Sequence, residues 1–257
     1  MLVSVVIPSF NQAPFLGHAI ESALSQRTAG VDVEVIVVDG GSDDNSAEII
    51  ASYSPHLAWW VSEPDRGQTH ALRKGFDRST GDIMGWLNSD DYYQDGALAT
   101  VCRVFSSEMS ANVLYGDMNW VTPQCSLIKT KREIDFDLDI LLWDYNYLPQ
   151  PSTLWRRSLW ESVPGLDESL ICAMDFDLWL KFVRAGAVFM HVDQVLANMR
   201  MYPEQKNQRL RALSNEEDAK LRKRFLGRGP GPQECYIKHN WHKARRIAAK
   251  LRRRAYF

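Results

Sequence analysis

Val33-Glu34-Val35-Ile36-Val37-Val38-Asp39-Gly40-Gly41-Ser42-Asp43-Asp44-Asn45-Ser46 is the stretch whose reading decides the fold. Its first six residues are almost all Val and Ile, an apolar run that suits a strand buried on both faces. The run ends at an aspartate, and Gly40 to Ser46 supplies turn formers and a helix-capping residue type. Strand, turn and helix start in that order form the repeating unit of an α/β layer fold. Upstream, Leu2 to Ile7 is a second such run, closing at Pro8, and Phe15, Leu16, Ala19, Ile20, Ala23 and Leu24 recur at helical spacing. Downstream, Leu57 to Val61 reads as a strand, Thr69 to Phe76 as a short helix, and Asp82 to Leu87 as a fourth strand that breaks off into Asn88-Ser89-Asp90-Asp91. Asp95 to Ser107 reads as a helix and Val113 to Gly116 as part of a strand pair. A helix beginning near Asp175 and a strand from Ala187 to Leu196 complete the body. The expected fold class is therefore α/β, with a mostly parallel central sheet flanked by helices and a C-terminal helical tail.

A chain of 257 residues with 45% hydrophobic and 24% charged residues is an ordinary globular sequence, long enough to bury a sizeable core. Cys102, Cys125, Cys172 and Cys235 are far apart, with no C-x-x-C pair, which argues against a zinc site and suits a reducing compartment. No apolar run approaches a membrane span, and Met1 leads directly into a strand-like segment. The expected location is cytoplasmic. Gly40-Gly41 is not a dinucleotide fingerprint and no P-loop is present, which argues against dehydrogenase and kinase chemistry.

In open α/β sheets, ligands bind beyond the carboxyl ends of the strands. Asp39, Asp65, Asp90 and Asp91 all fall at or just after such ends. Carboxylates gathered without basic partners repel one another unless a cation or a hydrogen-bonding ligand is present. Mg²⁺ or Mn²⁺ is typically held by one or two carboxylates plus phosphate oxygens, which suits a ligand carrying a diphosphate. Each aspartate taken singly would also serve as a turn former or helix cap.

Val3-Ser4-Val5-Val6-Ile7-Pro8-Ser9-Phe10-Asn11, Val35 to Asp44, Asp65-Arg66-Gly67-Gln68 and Asn88-Ser89-Asp90-Asp91 together resemble the successive motifs of family 2 inverting glycosyltransferases with the GT-A fold. The resemblance continues through Gln150-Pro151-Ser152-Thr153 and Asp175-Phe176-Asp177-Leu178-Trp179-Leu180, covering roughly residues 2 to 206. It implies a nucleotide-sugar half at residues 1 to 120, an acceptor half at 121 to 208 and a basic tail at 209 to 257. It also implies a nucleoside-diphosphate sugar donor, a UDP-sugar foremost, and an acceptor hydroxyl on a saccharide or lipid-linked molecule. Asp39 and Asp65 would hold ribose and base, with Pro8, Ser9, Phe10 and Asn11 bordering the nucleoside. The metal, Mn²⁺ or Mg²⁺, falls chiefly to Asp91, with Asp90 making a ribose or water-mediated contact. Arg200 would clamp the diphosphate, and Gln150 and Trp179 would meet the acceptor. The chain departs from the family in three places: Asn88 where relatives often have Asp, Met174 where they often have Glu, and Tyr202 where they often have His. A neutral amide at 88 still hydrogen-bonds a sugar hydroxyl but removes one negative charge.

Inverting transfer needs one carboxylate to take the acceptor's proton. Asp175 and Asp177 are two residues apart, about 200° around a helix, so only one faces the cleft. Asp177 has Lys181 four residues on and a structural role as its ion partner. Asp175 has Trp179 at that position and stands where the family places its base, so it is the expected catalytic residue; a helix N-cap is the plainer alternative.

The net charge of −2 conceals a division, because residues 209 to 257 carry 15 Lys and Arg against 4 Asp and Glu. Trp241, Ala244, Ile247, Ala248, Leu251 and Ala255 repeat at helical spacing among Lys243, Arg245, Arg246, Lys250, Arg252, Arg253 and Arg254. That pattern resembles an interfacial helix lying on an anionic membrane. A basic helix packed on the acidic body is the alternative, and no nucleic-acid partner is expected. Two other functions remain open at this point: a non-catalytic sugar-nucleotide sensor or membrane scaffold, and a sugar nucleotidyltransferase, for which Ser9-Phe10-Asn11-Gln12 lacks the glycine-rich basic loop.

Overall fold

A computed structural model describes residues 1–253. In chain order the strands are β1 (Leu2–Ser9), β2 (Asp32–Asp39), β3 (Trp59–Ser62), β4 (Ile83–Trp86), β5 (Tyr92–Tyr93), β6 (Val113–Val121), β7 (Leu127–Lys131), β8 (Thr153–Arg156) and β9 (Phe189–Arg200). The helices are α1 (Ala13–Leu24), α2 (Ser46–Tyr53), α3 (Gln68–Arg78), α4 (Ala97–Ser107), α5 (Leu138–Trp143), α6 (Arg157–Glu161), α7 (Met174–Arg184), α8 (Lys206–Arg209), α9 (Arg211–Leu226) and α10 (Pro232–Arg252).

The four strands of the opening βα repeat lie in the order β3-β2-β1-β4 and are all parallel. β8 then pairs antiparallel to β4, and the sheet continues through β6, β9 and β5. The apolar runs of β1 and β2 are continuous because each serves two cores. Val5, Ile7, Val35 and Val37 pack with Leu16, Ile20, Val101 and Phe105 on one face. Val6, Ile36 and Val38 pack with Leu72, Phe76, Trp86, Trp155 and Trp179 on the other. Successive strand residues point to opposite faces, so a strand covered on both sides shows no polar alternation.

β9 extends four residues past the expected end at Leu196, because Ala197 to Arg200 still pair with β6. That extension carries Asn198 and Arg200 to the end of the sheet where the acidic loops lie. The tail is also more integrated than a separate appendage. Residues 227–231 join α9 to α10; α9 docks on α7 and α10 docks on α5. The buried Glu217 of α9 accepts hydrogen bonds from the backbone N–H groups of Ile171, Cys172 and Ala173, each at 2.8 Å. These donors lead into the first turn of α7, and a carboxylate there satisfies groups the helix itself leaves unpaired. Asp175 is therefore not the N-cap of this helix, a position held by Ala173.

α10 meets the body through its basic side. Arg245 pairs with Asp137 at 2.5 Å, Arg246 with Asp144 at 2.5 Å, Lys250 with Glu133 at 3.0 Å, and Arg253 with Asp135. The opposed charges of tail and body thus meet directly. Arg254 and Ala255 lie outside the described residues. Among the described residues no helix is long and apolar enough to cross a membrane.

Glu217→Ala removes three charge-assisted hydrogen bonds from backbone donors to a buried carboxylate. It should lower unfolding free energy by about 2–3 kcal/mol, read as a lower midpoint in urea at unchanged slope. A loss within error of zero would mean that water replaces the carboxylate.

Candidate functional site

The carboxyl ends of β1, β2, β4 and β9 converge on one region, and their loops are tied by side chains rather than by strand pairing. Ser9 ends β1 beside Asp39 at the end of β2. Asp39 is fully buried and accepts Ser42 N–H at 2.9 Å, Ser42 Oγ at 2.5 Å and Ser62 Oγ at 2.7 Å. Its carboxylate therefore organises the loop, and the nucleoside contact expected of it would need one hydroxyl to turn away. Asn11 holds the facing loop, its Oδ1 accepting Asp43 N–H at 3.1 Å and its own N–H donating to Ser42 Oγ at 2.8 Å. Phe10 is 61% exposed at this rim, and Ser9 Oγ is buried without a hydrogen-bond partner among the described residues. Pro8 is buried within β1.

Asp65 reaches the same place from the end of β3. Its Oδ1 accepts Gly67 N–H at 2.6 Å. A Cβ on Gly40 would lie 2.8 Å from Asp65 Oδ2, and one on Gly41, at φ +78°, would lie 2.9 Å from Pro64 N. The two glycines are what allow the β2 and β3 loops to touch.

The acidic pair sits deeper. Asp91 is 1% exposed; its Oδ1 accepts Arg200 N–H at 3.2 Å and its Oδ2 accepts Asn88 Nδ2 at 3.3 Å. Burial, and then the negative charge of Asp90, hold the Asp91 carboxyl well above its ordinary range. Asp90 is only half-buried, with Oδ2 accepting the Tyr202 hydroxyl at 2.8 Å. Of the two, Asp90 is the carboxylate open to solvent, and Asp91, the expected chief metal ligand, stands behind it. Among the described residues no cluster of three His, Cys, Asp or Glu is poised for a metal. One accessible carboxylate beside a second, destabilised one still fits a divalent ion whose other ligands are phosphate and water.

Arg200, expected to clamp the diphosphate, has its guanidinium engaged within the protein. It is 2% exposed, and its guanidinium donates to the Asp90 carbonyl at 2.5 Å, the Pro123 carbonyl at 3.3 Å and His18 Nδ1 at 2.5 Å, between the rings of Phe15 and Tyr92. Burial and the Arg200 charge hold His18 below its ordinary pKa, so it stays a neutral acceptor. Arg200 shapes the loop under the acidic pair.

Four side chains form a continuous relay across the site. Lys206 Nζ donates to Gln68 Oε1 at 2.7 Å, and Gln68 Nε2 to Asn88 Oδ1 at 2.8 Å. Asn88 Nδ2 donates to Gln150 Oε1 at 3.0 Å, and Gln150 Nε2 to the Trp86 carbonyl at 2.8 Å. Gln150, expected at the acceptor, thus has both amide atoms engaged, its oxygen on Asn88 and its nitrogen on the end of β4. Lys206 was not singled out in the sequence, where it lies in a polar run with no periodicity. Burial lowers its pKa, and among the described residues no carboxylate approaches within 4.0 Å. The negative charges of Glu217 and Asp175 act on it from beyond that distance.

Asp175 and Asp177 diverge as the helical spacing requires. Asp177 is 1% exposed and ion-paired to Lys181 at 2.7 Å and to Arg224. Asp175 is half-buried, with Oδ2 accepting Asn146 Nδ2 at 3.0 Å and no cationic partner among the described residues. Burial pushes its pKa up to about 6; the charge of Asp218 adds to the rise, while hydrogen bonds from Phe176 N–H and Asn146 oppose it. Asn146, like Lys206, carried no signal in the sequence. Trp179, expected to meet the acceptor, is fully buried and lies parallel to Trp86 at 6.4 Å. Met174 is likewise in the core.

Comparison with known proteins bears on the family and the fold. The sequence profile of glycosyl transferase family 2 matches residues 4–136, just over half of the chain. An uncharacterized glycosyltransferase of Rickettsia typhi is 28% identical over 213 residues, covering 79% of this chain and 65% of its own length. Chondroitin synthase of Escherichia coli is 26% identical over 217 residues, 79% of this chain and 29% of that protein. The chain thus spans less than two thirds of the length of either relative. Among solved structures, Staphylococcus aureus TarS in complex with UDP superposes with a TM-score of 0.65 at 19% identity, covering 88% of this chain and 71% of that one. Mannosyltransferase PcManGT from Pyrobaculum calidifontis, in complex with GDP-Man and Mn²⁺, gives 0.67 at 18% identity, covering 99% and 75%. The fold is of the GT-A type, and the chain belongs to glycosyl transferase family 2.

Proposed function

We propose that this protein is a divalent-metal-dependent, inverting glycosyltransferase that moves a sugar from a nucleoside-diphosphate sugar, a UDP-sugar foremost, to a hydroxyl of a saccharide or lipid-linked acceptor. The observation that carries this reading is the contrast between two carboxylates on one helix: Asp177 is neutralised by Lys181 and Arg224, while Asp175 has no ion pair among the described residues and a raised pKa. A lone carboxylate of that kind is suited to accept a proton, and inverting transfer requires one such base. Solved proteins of this fold hold UDP or GDP-Man with Mn²⁺, which supports a nucleotide-sugar donor.

In the proposed step the acceptor hydroxyl gives its proton to Asp175 as its oxygen bonds to the anomeric carbon. The bond from that carbon to the diphosphate oxygen breaks, and the nucleoside diphosphate leaves with the bonding pair. Attack opposite the leaving group inverts the anomeric centre. A divalent ion held at Asp90, backed by Asp91, would neutralise charge on the departing diphosphate. Asn146 keeps the base oriented, and the Gly40-Gly41 and Asn11 loops form the nucleoside side. Lys206 spans the two halves, joined to Asn88 through Gln68 and sensing the charge of Asp175.

Asp175→Asn should retain donor binding and lose roughly 10²- to 10⁴-fold in kcat, measured as nucleoside diphosphate released in the presence of acceptor. Asp177→Asn should instead lower thermal stability with a smaller effect on turnover. Equal losses of turnover in the two variants would remove the assignment of the base.

The pH dependence follows from the same carboxylate. Below about 6 Asp175 is protonated and cannot accept a proton, so kcat/KM should fall about tenfold per pH unit on the acid side. Asp218→Asn removes a charge that raises this pKa, and should move the limb to lower pH. A limb unmoved by Asp218→Asn would point to a different titrating group.

Metal use is read independently of turnover. Mn²⁺ should increase the thermal stabilisation given by a nucleoside diphosphate, and Asp90→Ala should abolish that increment. Retention of the full increment by the variant would place the ion elsewhere.

A further inference from the structure

α10 is attached to the body by its charged side, and this leaves its apolar side facing solvent. Arg245, Arg246 and Lys250 point inward to Asp137, Asp144 and Glu133, while His242 and Lys250 are buried. Ile237 is 66% exposed, Trp241 64% and Leu251 51%, with Ala244, Ile247 and Ala248 exposed between them. The positions 237, 241, 244, 248 and 251 follow one another at steps of three and four, so they form one stripe along the helix. An ordinary surface helix has the reverse arrangement.

We propose that this stripe is a membrane-docking surface, which lays α10 in the interfacial region of an anionic bilayer. The charges beside the stripe favour that occupant. Lys243 and Arg252 are exposed along it, and among the described residues neither pairs with an acid. Glu234, near the start of the helix, is neutralised by Arg228 and Lys238. The surface is thus apolar with a cationic border, as anionic lipid headgroups require. Its dimensions disfavour a second copy of the chain. From Ile237 to Leu251 the stripe is about 21 Å long and about 10 Å wide, a footprint of roughly 200 Å², whereas a stable protein interface buries about 800 Å² per partner.

The mode of attachment also differs from a purely electrostatic one. Three of the six Lys and Arg of α10 are spent on the body and Lys238 on Glu234, so immersion of Ile237, Trp241 and Leu251 supplies the larger part of the attraction. Binding should therefore weaken with salt without vanishing.

The test is sedimentation of the full chain with vesicles of equal parts phosphatidylcholine and phosphatidylglycerol, which requires no turnover and is independent of the reaction proposed above. The protein should partition onto these vesicles. A variant combining Ile237→Ser, Trp241→Ser and Leu251→Ser should lose about tenfold or more in partitioning while keeping its melting temperature, because all three side chains are exposed. Lys243→Gln with Arg252→Gln should weaken binding at low salt only. A wild-type protein that stays in the supernatant, or a triple variant that binds equally well, would overturn the proposal. So would concentration-dependent dimerisation of the wild type that the triple variant lacks, without vesicle binding by either; that result assigns the stripe to a second copy.

Discussion

The side-chain amide of Asn88 is the point at which the parts of the site are joined. β4 ends at Trp86, and the chain then leaves the sheet, so the polar groups at this edge must find side-chain partners. Gln150 satisfies the Trp86 carbonyl and turns its own oxygen to Asn88. Asn88 accepts from Gln68 and donates to both Gln150 and Asp91. An ionised aspartate has no donor, so it could not reproduce the last two bonds. It would also place a third negative charge beside a pair in which Asp91 is already difficult to ionise. The amide at position 88 is therefore consistent with its surroundings, at the cost of one charge near the accessible Asp90.

The same economy explains Arg200 and Tyr202. A buried guanidinium needs acceptors in several directions, and the turn at Asp90, the loop at Pro123 and a neutral His18 supply them. Tyr202 donates to Asp90 from the side where relatives often carry a histidine. One oxygen of Asp90 is thereby fixed while the carboxylate remains open to solvent. The aromatic hydroxyl orients Asp90 without adding a ligand that competes for protons near neutral pH.

Much of the parallel half of the sheet was legible because its signal is local: Val35-Ile36-Val37-Val38 directly before Asp39, and Val5-Val6-Ile7 directly before Pro8. The end of β9 was not, since Asn198 and Arg200 are polar and extended only because β6 lies beside them. Trp179 illustrates a different limit. It is four residues after Asp175 and shares its helical face. Yet four residues advance the helix by about 6 Å, enough to pass from the lip of the cleft to the cluster of Trp86 and Trp155. Periodicity gives a face but not its depth. Lys206 was invisible for the opposite reason, because a short helix in a polar run has no apolar face to announce it, and its burial comes entirely from tertiary packing.

Charge division was the most informative coarse signal in the tail, although it left the direction of the helix open. The decisive group is Glu133, whose side chain is fully buried and meets Lys131 and Lys250, each at 3.0 Å. A buried carboxylate is strongly destabilising without counter-charge, and α10 contributes one of the two cations. The neighbouring pairs, Arg245 with Asp137 and Arg246 with Asp144, grip the residues flanking α5. Two residues beyond Asp144 is Asn146, the hydrogen-bond donor to Asp175. The basic side of α10 thus holds the segment that orients the proposed base, and the apolar side faces outward because the inward positions are already occupied by these ion pairs.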